Sequence, residues 1–535
     1  MPETNVKLTS LSRIPRGSGS QASLEFAPRE SAEIVIGFSG AIGCGMSYAV
    51  AAARRILGEF GYGVVHLKLS RFIEGLLQRQ LVDNWDAGYE NRNRYERLQI
   101  AGNSLRNSRS PDFLAELAIA VISTDRITRE QRKHKDTREE LKNIDSIVPG
   151  RVAYLIDQLK HPEEVQLLRK VYGNLFYLVG VLASEKQRTE NLRKDLAPIE
   201  VGPVIERDRQ DNDAHGQQLD KTLRLADFFL RNNRQNDKSI EKPLRRFFSL
   251  IHGETSRTPT KDEYAMYAAF SAGLRSACLS RQVGAAITDA HGNMLATGCN
   301  DVPKAHGGLY SEDDGDHDHR CVNLQGGICF NDRQKDLLEE EIQAILIAHD
   351  LDRSDAGKIA AEIRNGTRLK DLLEFSRSVH AEMDALVSVV RKGGDGVVGG
   401  RLFTTTFPCH NCARHIVAAG IARVFYIEPY EKSLALELHS DSIGSDSDDG
   451  EELVRFLHFE GVSPRKYQEL FHSRADRKTK GEANRTTPAQ ARKSTAQYLD
   501  SYRDLETKVV ENLVQQGLTK NQIVELSDPV VIRAQ

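Results

Sequence analysis

Apolar positions along this chain of 535 residues fall into two sets with a densely charged stretch between them. In the first set, short and largely apolar runs at 34–38, 63–67, 152–156 and 176–181 have the length and continuity of strands buried on both faces. Helical spacing fills 47–60 and 162–171, so strand, loop, helix and strand succeed one another. That order is a βαβ unit, and its repetition predicts a doubly wound sheet. The second set starts near 263. It predicts a helix at 263–279, strands at 283–288 and 294–297, a helix at 379–390, a strand at 402–405, a helix at 410–419 and a strand at 424–427. A long polar insertion, 301–376, interrupts this set and holds one helix-like stretch at 336–351.

The remaining segments are read from their polarity. Residues 1–30, rich in Ser, Pro, Gly and Arg, predict a disordered tail. Residues 184–260 read as helices plus a linker, 475–495 as a polar linker and 497–516 as a lone amphipathic helix. The boundaries that follow are 31–230 for the first domain, 231–261 for a linker, 262–473 for the second domain with its insertion, and 474–535 for the polar linker and C-terminal helix.

Composition narrows the class. Hydrophobic residues make up 39% and charged residues 28%, an ordinary soluble balance. No apolar run approaches the roughly 20 residues of a membrane helix, and the first residues lack the apolar core of a secretory signal. The expectation is a cytoplasmic protein without a membrane partner. With a net charge of −3 and no dominant basic stripe, a small-molecule substrate is favoured over a phosphate backbone. The cysteine count is seven, and an odd number in a long chain does not suggest a disulfide framework.

One cysteine pair carries chemistry. Ser378-Val379-His380-Ala381-Glu382 is followed by Phe407-Pro408-Cys409-His410-Asn411-Cys412. His nitrogen and two Cys sulfurs suit tetrahedral zinc, and three protein ligands leave a fourth position open, as catalytic sites do. Cys409 and Cys412 are three residues apart at a predicted helix start, where a thiolate is favoured. Glu382 lies two residues beyond His380, within reach of the open position without being a ligand. H-x-E…P-C-x-x-C is the pattern of zinc nucleobase deaminases, with the Glu as general acid and base. A structural zinc site and a redox CxxC are the plainer alternatives. In the insertion, His317, His319, Cys321 and Cys329 offer a second candidate zinc site, against a solvated loop with incidental thiols.

A second motif sits in the first domain. Gly40-Ala41-Ile42-Gly43-Cys44-Gly45-Met46-Ser47 follows a predicted strand and opens a helix, and it matches the phosphate-loop pattern except for Met46 in place of Lys. Gly40, Gly43 and Gly45 leave backbone N–H groups free to approach phosphates, and Ser47 is placed to meet Mg²⁺ accompanying a nucleotide. Met46 supplies no charge for phosphoryl transfer. An active kinase, a nucleotide-binding sensor and a structural remnant remain open readings. Asp157, at a strand end, resembles the acid that holds Mg²⁺ in such domains, or is a solvated strand-end residue.

The zinc-motif residues resemble the deoxycytidylate deaminase branch of the cytidine deaminase superfamily. The likeness extends through Leu279-Ser280-Arg281, Val283-Gly284-Ala285-Ala286-Ile287, Gly298-Cys299-Asn300, Ala422-Arg423-Val424-Phe425-Tyr426 and Pro429-Tyr430-Glu431-Lys432-Ser433-Leu434-Ala435. It implies a three-layer α/β/α cytidine-deaminase-like domain, zinc as cofactor, free deoxycytidine nucleotides as substrates, and Asn300 against the sugar. Arg281 is a candidate partner for substrate phosphate, or a surface charge. Asp384 departs from the Asn the family often carries, and the long insertion is also unlike its compact members. A P-loop kinase-like doubly wound domain fused ahead of such a deaminase resembles the bacterial anti-phage dCTP deaminases. That resemblance implies deamination of dCTP and dCMP, depletion of dCTP during infection, a homo-oligomer and, in some members, an inhibitory small RNA. It makes dTTP a sensible allosteric nucleotide. A deaminase of single-stranded DNA or RNA, and a nucleotide-sensing regulatory protein, are the competing functions.

Overall fold

The computed structural model describes residues 30–137, 150–209, 217–232, 237–254, 256–430, 433–445, 452–472, 478–483, 497–527 and 531–533. The tail expected at 1–30, apart from Glu30, and most of the polar linker expected at 475–495 lie outside the described residues.

The first domain is built on a seven-stranded sheet of order β12-β5-β4-β1-β3-β2-β15. Its middle is parallel: β1 (Ile34–Gly40), β2 (Gly63–Lys68), β3 (Val152–Asp157), β4 (Phe176–Leu182) and β5 (Phe228–Arg231). Every residue of β1, β3 and β4 is buried, which is why those strands read as unbroken apolar runs. Alternation divides β1 between two cores. Ile34, Ile36 and Phe38 pack with the helix Met46–Glu59, while Val35 faces the core that holds the helix Phe113–Thr137.

The segment 231–261, expected as a linker, holds instead the helix Asp237–Ile251. Ile240, Leu244, Phe247, Phe248 and Ile251 form its buried stripe in the same core as Met46–Glu59. Charged residues between those positions hid the stripe from composition. The C-terminal helix, Leu499–Gln515, is likewise not a lone element. Its Glu506 and the distant Glu33 both bind the buried Arg126, at 2.6 and 2.9 Å, and Tyr172 donates to Glu506 at 2.9 Å. Beyond it, β15 (Val531–Arg533) pairs antiparallel with β2 and closes that edge of the sheet.

The second domain carries a six-stranded mixed sheet of order β10-β11-β9-β8-β6-β7. Here β6 (Gly284–Thr288) runs antiparallel to both β7 (Met294–Cys299) and β8 (Arg401–Thr406). The strands β8, β9 (Arg423–Glu428), β11 (Val454–His458) and β10 (Ile443–Gly444) are parallel. Helix Lys261–Gly273 covers one face through Ala265, Met266 and Ala269, and helices Ala381–Arg391 and His410–Ala418 cover the other. In the insertion, Phe330–Ala348 and Arg353–Gly366 form a helical pair tied by Arg364 to Asp336 and Glu339.

Glu263 fastens the two domains together. It is 1% exposed. With Thr260 it forms the capping box of Lys261–Gly273, and it binds both terminal nitrogens of Arg246 at 2.7 Å. It also accepts from Val462 N at 2.9 Å, and Val462 lies in β12 (Gly461–Val462), the strand that pairs with β5 of the first sheet. Glu263→Ala is expected to lower the free energy of unfolding by about 3 kcal/mol, because a largely buried guanidinium and a buried N–H lose their partner. Thr260→Ala removes only a cap and is expected to cost about 1 kcal/mol. Urea unfolding of the two variants beside wild type makes the comparison, and equal losses would show that the junction does not rest on this carboxylate.

Candidate active site

His380 is the N-cap of helix Ala381–Arg391, and Cys409 is the N-cap of His410–Ala418. Two helix N-termini therefore converge, as their motifs predicted. Close approach is set by a glycine: a Cβ at Gly298 of β7 would stand 2.3 Å from Ala381 O and 2.4 Å from Ala385 N. Asp384 then fixes the same helix to the sheet, its Oδ2 accepting from Cys299 N at 3.1 Å. The departure from Asn at this position thus keeps a carbonyl-type acceptor on the strand.

The ligand atoms lie close together. His380 Nδ1 is 3.3 Å from the Sγ of Cys409 and 3.3 Å from that of Cys412. Bond lengths of about 2.3 Å to sulfur and 2.0–2.1 Å to nitrogen put neighbouring ligands of tetrahedral zinc about 3.5–3.8 Å apart. The residues present therefore fit zinc with a small relaxation. Among the described residues, His380, Cys409 and Cys412 are the one group of three or more His, Cys, Asp or Glu whose ligand atoms all lie within 4.8 Å of one another. His317, His319, Cys321 and Cys329 form no such group. His317 and His319 are exposed, and that loop is organised by Asp318, which binds Arg320 at 2.6 Å and Asn323 at 2.7 Å.

The cluster is polarised before any ion enters. Hydrogen bonds from Cys412 and His380 hold the Cys409 thiol down at about 4. The Cys409 sulfur in turn raises His380 to about 9, and its hydrogen bond together with burial pushes Cys412 up. Glu382 is 4% exposed, and burial raises its carboxyl above the usual range. Its Oε2 lies 3.5 Å from Cys412 Sγ.

Glu382 and His380 open on a cavity of about 130 Å³ whose other walls include Asn300, Arg281, Phe407 and Tyr430. The Asn300 side chain is engaged at both ends, accepting from Val283 N at 2.7 Å and donating to Arg281 O at 2.8 Å. It shapes the cavity wall as well as lining it. The Arg281 guanidinium lies 5.7 Å from the centre of the Tyr430 ring. Thr406 was not singled out from the sequence, whereas Phe407 opens the cysteine motif and Tyr430 stands within a stretch that carries the family resemblance, neither having been given a role there. Asn331, Leu373 and Ser376 bring the insertion into the wall, which its polar composition did not announce.

The glycine-rich loop of the first domain is a separate place. It joins β1 to Met46–Glu59, with Gly43 and Gly45 in left-handed conformations at φ 79° and 75°. Its carbonyls are clamped: Asn191 donates to Gly43 O at 2.8 Å, Asn232 to Cys44 O at 2.8 Å, and Lys160 Nζ to Gly40 O at 2.7 Å. Met46 is buried in the core beneath the loop, and Ser47 is exposed. Lys160 thus reaches the loop from outside the motif, but its ammonium is paired with Asp208 at 2.7 Å. Asp157 is buried and paired with His66 at 3.2 Å, so it is not a solvated strand-end residue.

Fold and side-chain cluster define an α/β domain in which a His/Cys/Cys group that could hold a metal ion lies beside a buried carboxylate. Residues 259–428 match the family described as the cytidine and deoxycytidylate deaminase zinc-binding region. The chain is similar to the deoxycytidylate deaminase of Enterobacteria phage T4, 28% identical over 165 residues, which cover 30% of this chain and 72% of that protein. A probable deoxycytidylate deaminase of Drosophila melanogaster is 36% identical over 69 residues, 12% of this chain and 32% of that protein. Among solved structures, the dCMP deaminase of cyanophage S-TIM5 in complex with dCMP and dUMP shows 20% identity over 38% of this chain and 98% of its own, with a TM-score of 0.22. Among the described residues, no helix is long and apolar enough to cross a membrane.

Metal content tests the ligand set directly. The purified chain is expected to carry about one zinc ion, and Cys412→Ala to fall below about one tenth of that with a lowered unfolding temperature, because site formation and folding are coupled. Elemental analysis that finds full zinc in this variant would remove Cys412 from the set.

Proposed function

We propose that this chain deaminates free deoxycytidine nucleotides, dCMP and dCTP, to the corresponding deoxyuridine nucleotides, with zinc held by His380, Cys409 and Cys412. The observation that carries this reading is the buried Glu382 carboxylate set against a three-ligand cluster in one small cavity. The names of the similar proteins, which describe deoxycytidylate deaminases, support the substrate class. Zinc, when bound, supplies a Lewis acid that brings the acidity of the attacking water toward neutrality.

The chain's own residues do the rest. Glu382 accepts the proton of the attacking water and passes it to N3 of the cytosine ring as oxygen bonds to C4. Glu382 then takes the remaining proton from the new C4 hydroxyl and delivers it to the amino nitrogen, the C4–N bond breaks as the C4 carbonyl forms, and ammonia leaves. Water is consumed and the ring gains a carbonyl at C4 in place of the amino group, so atoms and charge balance. A carboxyl whose proton affinity is raised by burial is suited to both taking and giving a proton. Phe407 and Tyr430 offer faces for the planar base, and Arg281 stands at the exposed rim, where the phosphates extend. Both dCMP and dCTP are compatible with a phosphate chain that leaves the cavity at that rim. In the cell, the reading we propose is depletion of dCTP during phage infection. Its support is the pairing of a glycine-loop α/β domain with a deaminase-like domain.

Glu382→Gln keeps the shape of the side chain and removes its proton transfer. It is expected to retain zinc while kcat falls by about 10²–10⁴-fold. Ammonia release from dCMP, dCTP, CTP and single-stranded DNA, run side by side, checks the proposal. Near-normal turnover in the variant would overturn the proton-transfer role, and activity on the strand alone would overturn the substrate class.

A further inference from the structure

Asn331 enters the wall of the Glu382 cavity from the insertion, at the start of the helix Phe330–Ala348. Its amide has one orientation. Nδ2 donates to Leu372 O at 3.0 Å, and a backbone carbonyl can only accept, so the opposite end of the amide is the oxygen. That Oδ1 is buried, and among the described residues no group donates to it. A buried acceptor without a donor is unfavourable, and at a cavity wall a bound molecule is the remaining source of one. The family resemblance sets Asn300 against the sugar, yet both ends of that amide are engaged within the chain, with Val283 N and Arg281 O. Asn331 lies in the insertion, outside the stretches that carry the resemblance, and holds the open acceptor.

On the reading of this cavity as a site for deoxycytidine nucleotides, the chemistry of the bound molecule narrows the donor. Ring nitrogen N1 is bonded to the sugar, and N3 and the C2 carbonyl accept. The amino group at C4 has to lie against Glu382 and the ligand cluster, where it is lost. Phosphate oxygens are acceptors at neutral pH. The 3′-hydroxyl is the one donor left. Its place in the molecule agrees with that of Asn331, because the sugar lies between base and phosphate. Asn331 shares the cavity wall with Glu382 and directly follows Phe330, whose ring carries the Arg377 guanidinium 5.0 Å from its centre. Arg377 donates to His319 O at 3.1 Å and forms no ion pair among the described residues, so its charge is available to a phosphate.

We infer that Asn331 Oδ1 accepts from the free 3′-hydroxyl of the substrate, and that this contact selects free nucleotides over cytosines inside a strand. Within a strand the 3′ oxygen is esterified. It has no proton to give, and the phosphodiester brings further acceptors toward Oδ1. Oxygen then faces oxygen, and the buried acceptor stays unpaired. A site that hydrogen-bonds a hydroxyl rejects an analogue lacking it more strongly than an apolar wall rejects an added group. One residue of the insertion thereby turns the cavity from a reader of cytosine into a reader of unlinked cytosine nucleotides.

The test measures kcat/KM of the full zinc-loaded chain on dCMP, 2′,3′-dideoxycytidine 5′-monophosphate and deoxycytidine 3′,5′-bisphosphate. Wild type is compared with Asn331→Leu, close in shape, and Asn331→Ala, which cannot overfill the wall. Wild type is expected to lose about tenfold or more on each analogue relative to dCMP. Both variants are expected to lose about tenfold on dCMP and to treat dCMP and the dideoxy nucleotide alike within about threefold. The ratio between substrates is the readout, because a purely structural defect lowers both rates and leaves the ratio at its wild-type value. Variants that keep the wild-type ratio overturn the contact and reduce Asn331 to a brace for Leu372. A wild type that accepts the dideoxy nucleotide as readily as dCMP overturns it as well. So does loss of all activity in both variants, since a sugar contact leaves proton transfer at Glu382 in place. Failure of wild type to deaminate dCMP at all would instead refute the deoxycytidine reading, so the two failures are told apart.

Discussion

Three ligand atoms on two helices must meet within the span of one ion, and the architecture of the second domain answers to that requirement. The helices Ala381–Arg391 and His410–Ala418 lie on one face of the six-stranded sheet, and each presents its first turn toward the other. Their depth on the sheet is fixed by how closely backbone approaches backbone. At Gly298 there is no room for a Cβ, and at Gly284 a Cβ would stand 1.9 Å from Ala269 O of the helix on the opposite face. Small residues on both faces thus allow the flanking helices Ala381–Arg391 and Lys261–Gly273 to lie close on the sheet. A larger side chain at Gly298 displaces the helix Ala381–Arg391 and with it His380 at its start, whereas one at Gly284 displaces the helix Lys261–Gly273 on the other face.

Height alone would leave the domain free to move against its neighbour, and the chain removes that freedom by crossing between sheets. The strand β12 follows β11 of the second sheet but pairs with β5 of the first. Phe459, between them, meets Phe229 of β5 with ring centres 6.2 Å apart, so one apolar cluster runs through both domains. Glu263 caps the first helix of the second domain while binding Arg246 and Val462. The C-terminal helix and β15 then return to the first domain, where Arg126 joins Glu33 to Glu506. Positions far apart in the chain therefore share buried ionic contacts, and the first domain contains residues from both ends of the sequence.

This connectivity explains what could be read from sequence and what could not. The strands β1, β3 and β4 are buried throughout, so continuity of apolar residues revealed them. By contrast β5 offers only Phe228, Phe229 and Leu230 amid charge, and β10 and β12 are two residues each. Their identity as strands comes from neighbours, not from local pattern. The same holds at the sites. His380, Glu382, Cys409 and Cys412 sit on short local motifs, so spacing alone brought them forward. Lys160 and Asp208 reach the glycine-rich loop from 120 and 166 positions away from their loop partners, and no local pattern records such a pairing.

The insertion shows how a long excursion can serve the site without disturbing it. It leaves and rejoins the domain at one point: Asp301 and Val379 form an antiparallel bridge, with Val379 N donating to Asp301 O at 3.0 Å. His380 follows immediately, so the closure of the insertion and the placement of the first ligand are one structural event. Within the excursion, the paired helices are stabilised by their own contacts, with Ala356 and Ala360 buried between them. Its remaining duty is to present Asn331, Leu373 and Ser376 to the cavity. Asn331 donates to Leu372 O at 3.0 Å, which braces one wall position against the residue beside another, Leu373. A wall braced from within the insertion can vary in shape while the ligands, held by the sheet and its glycines, stay where they are. On the proposed function, the shaping of what enters the cavity is thereby separated from the proton transfer assigned to Glu382.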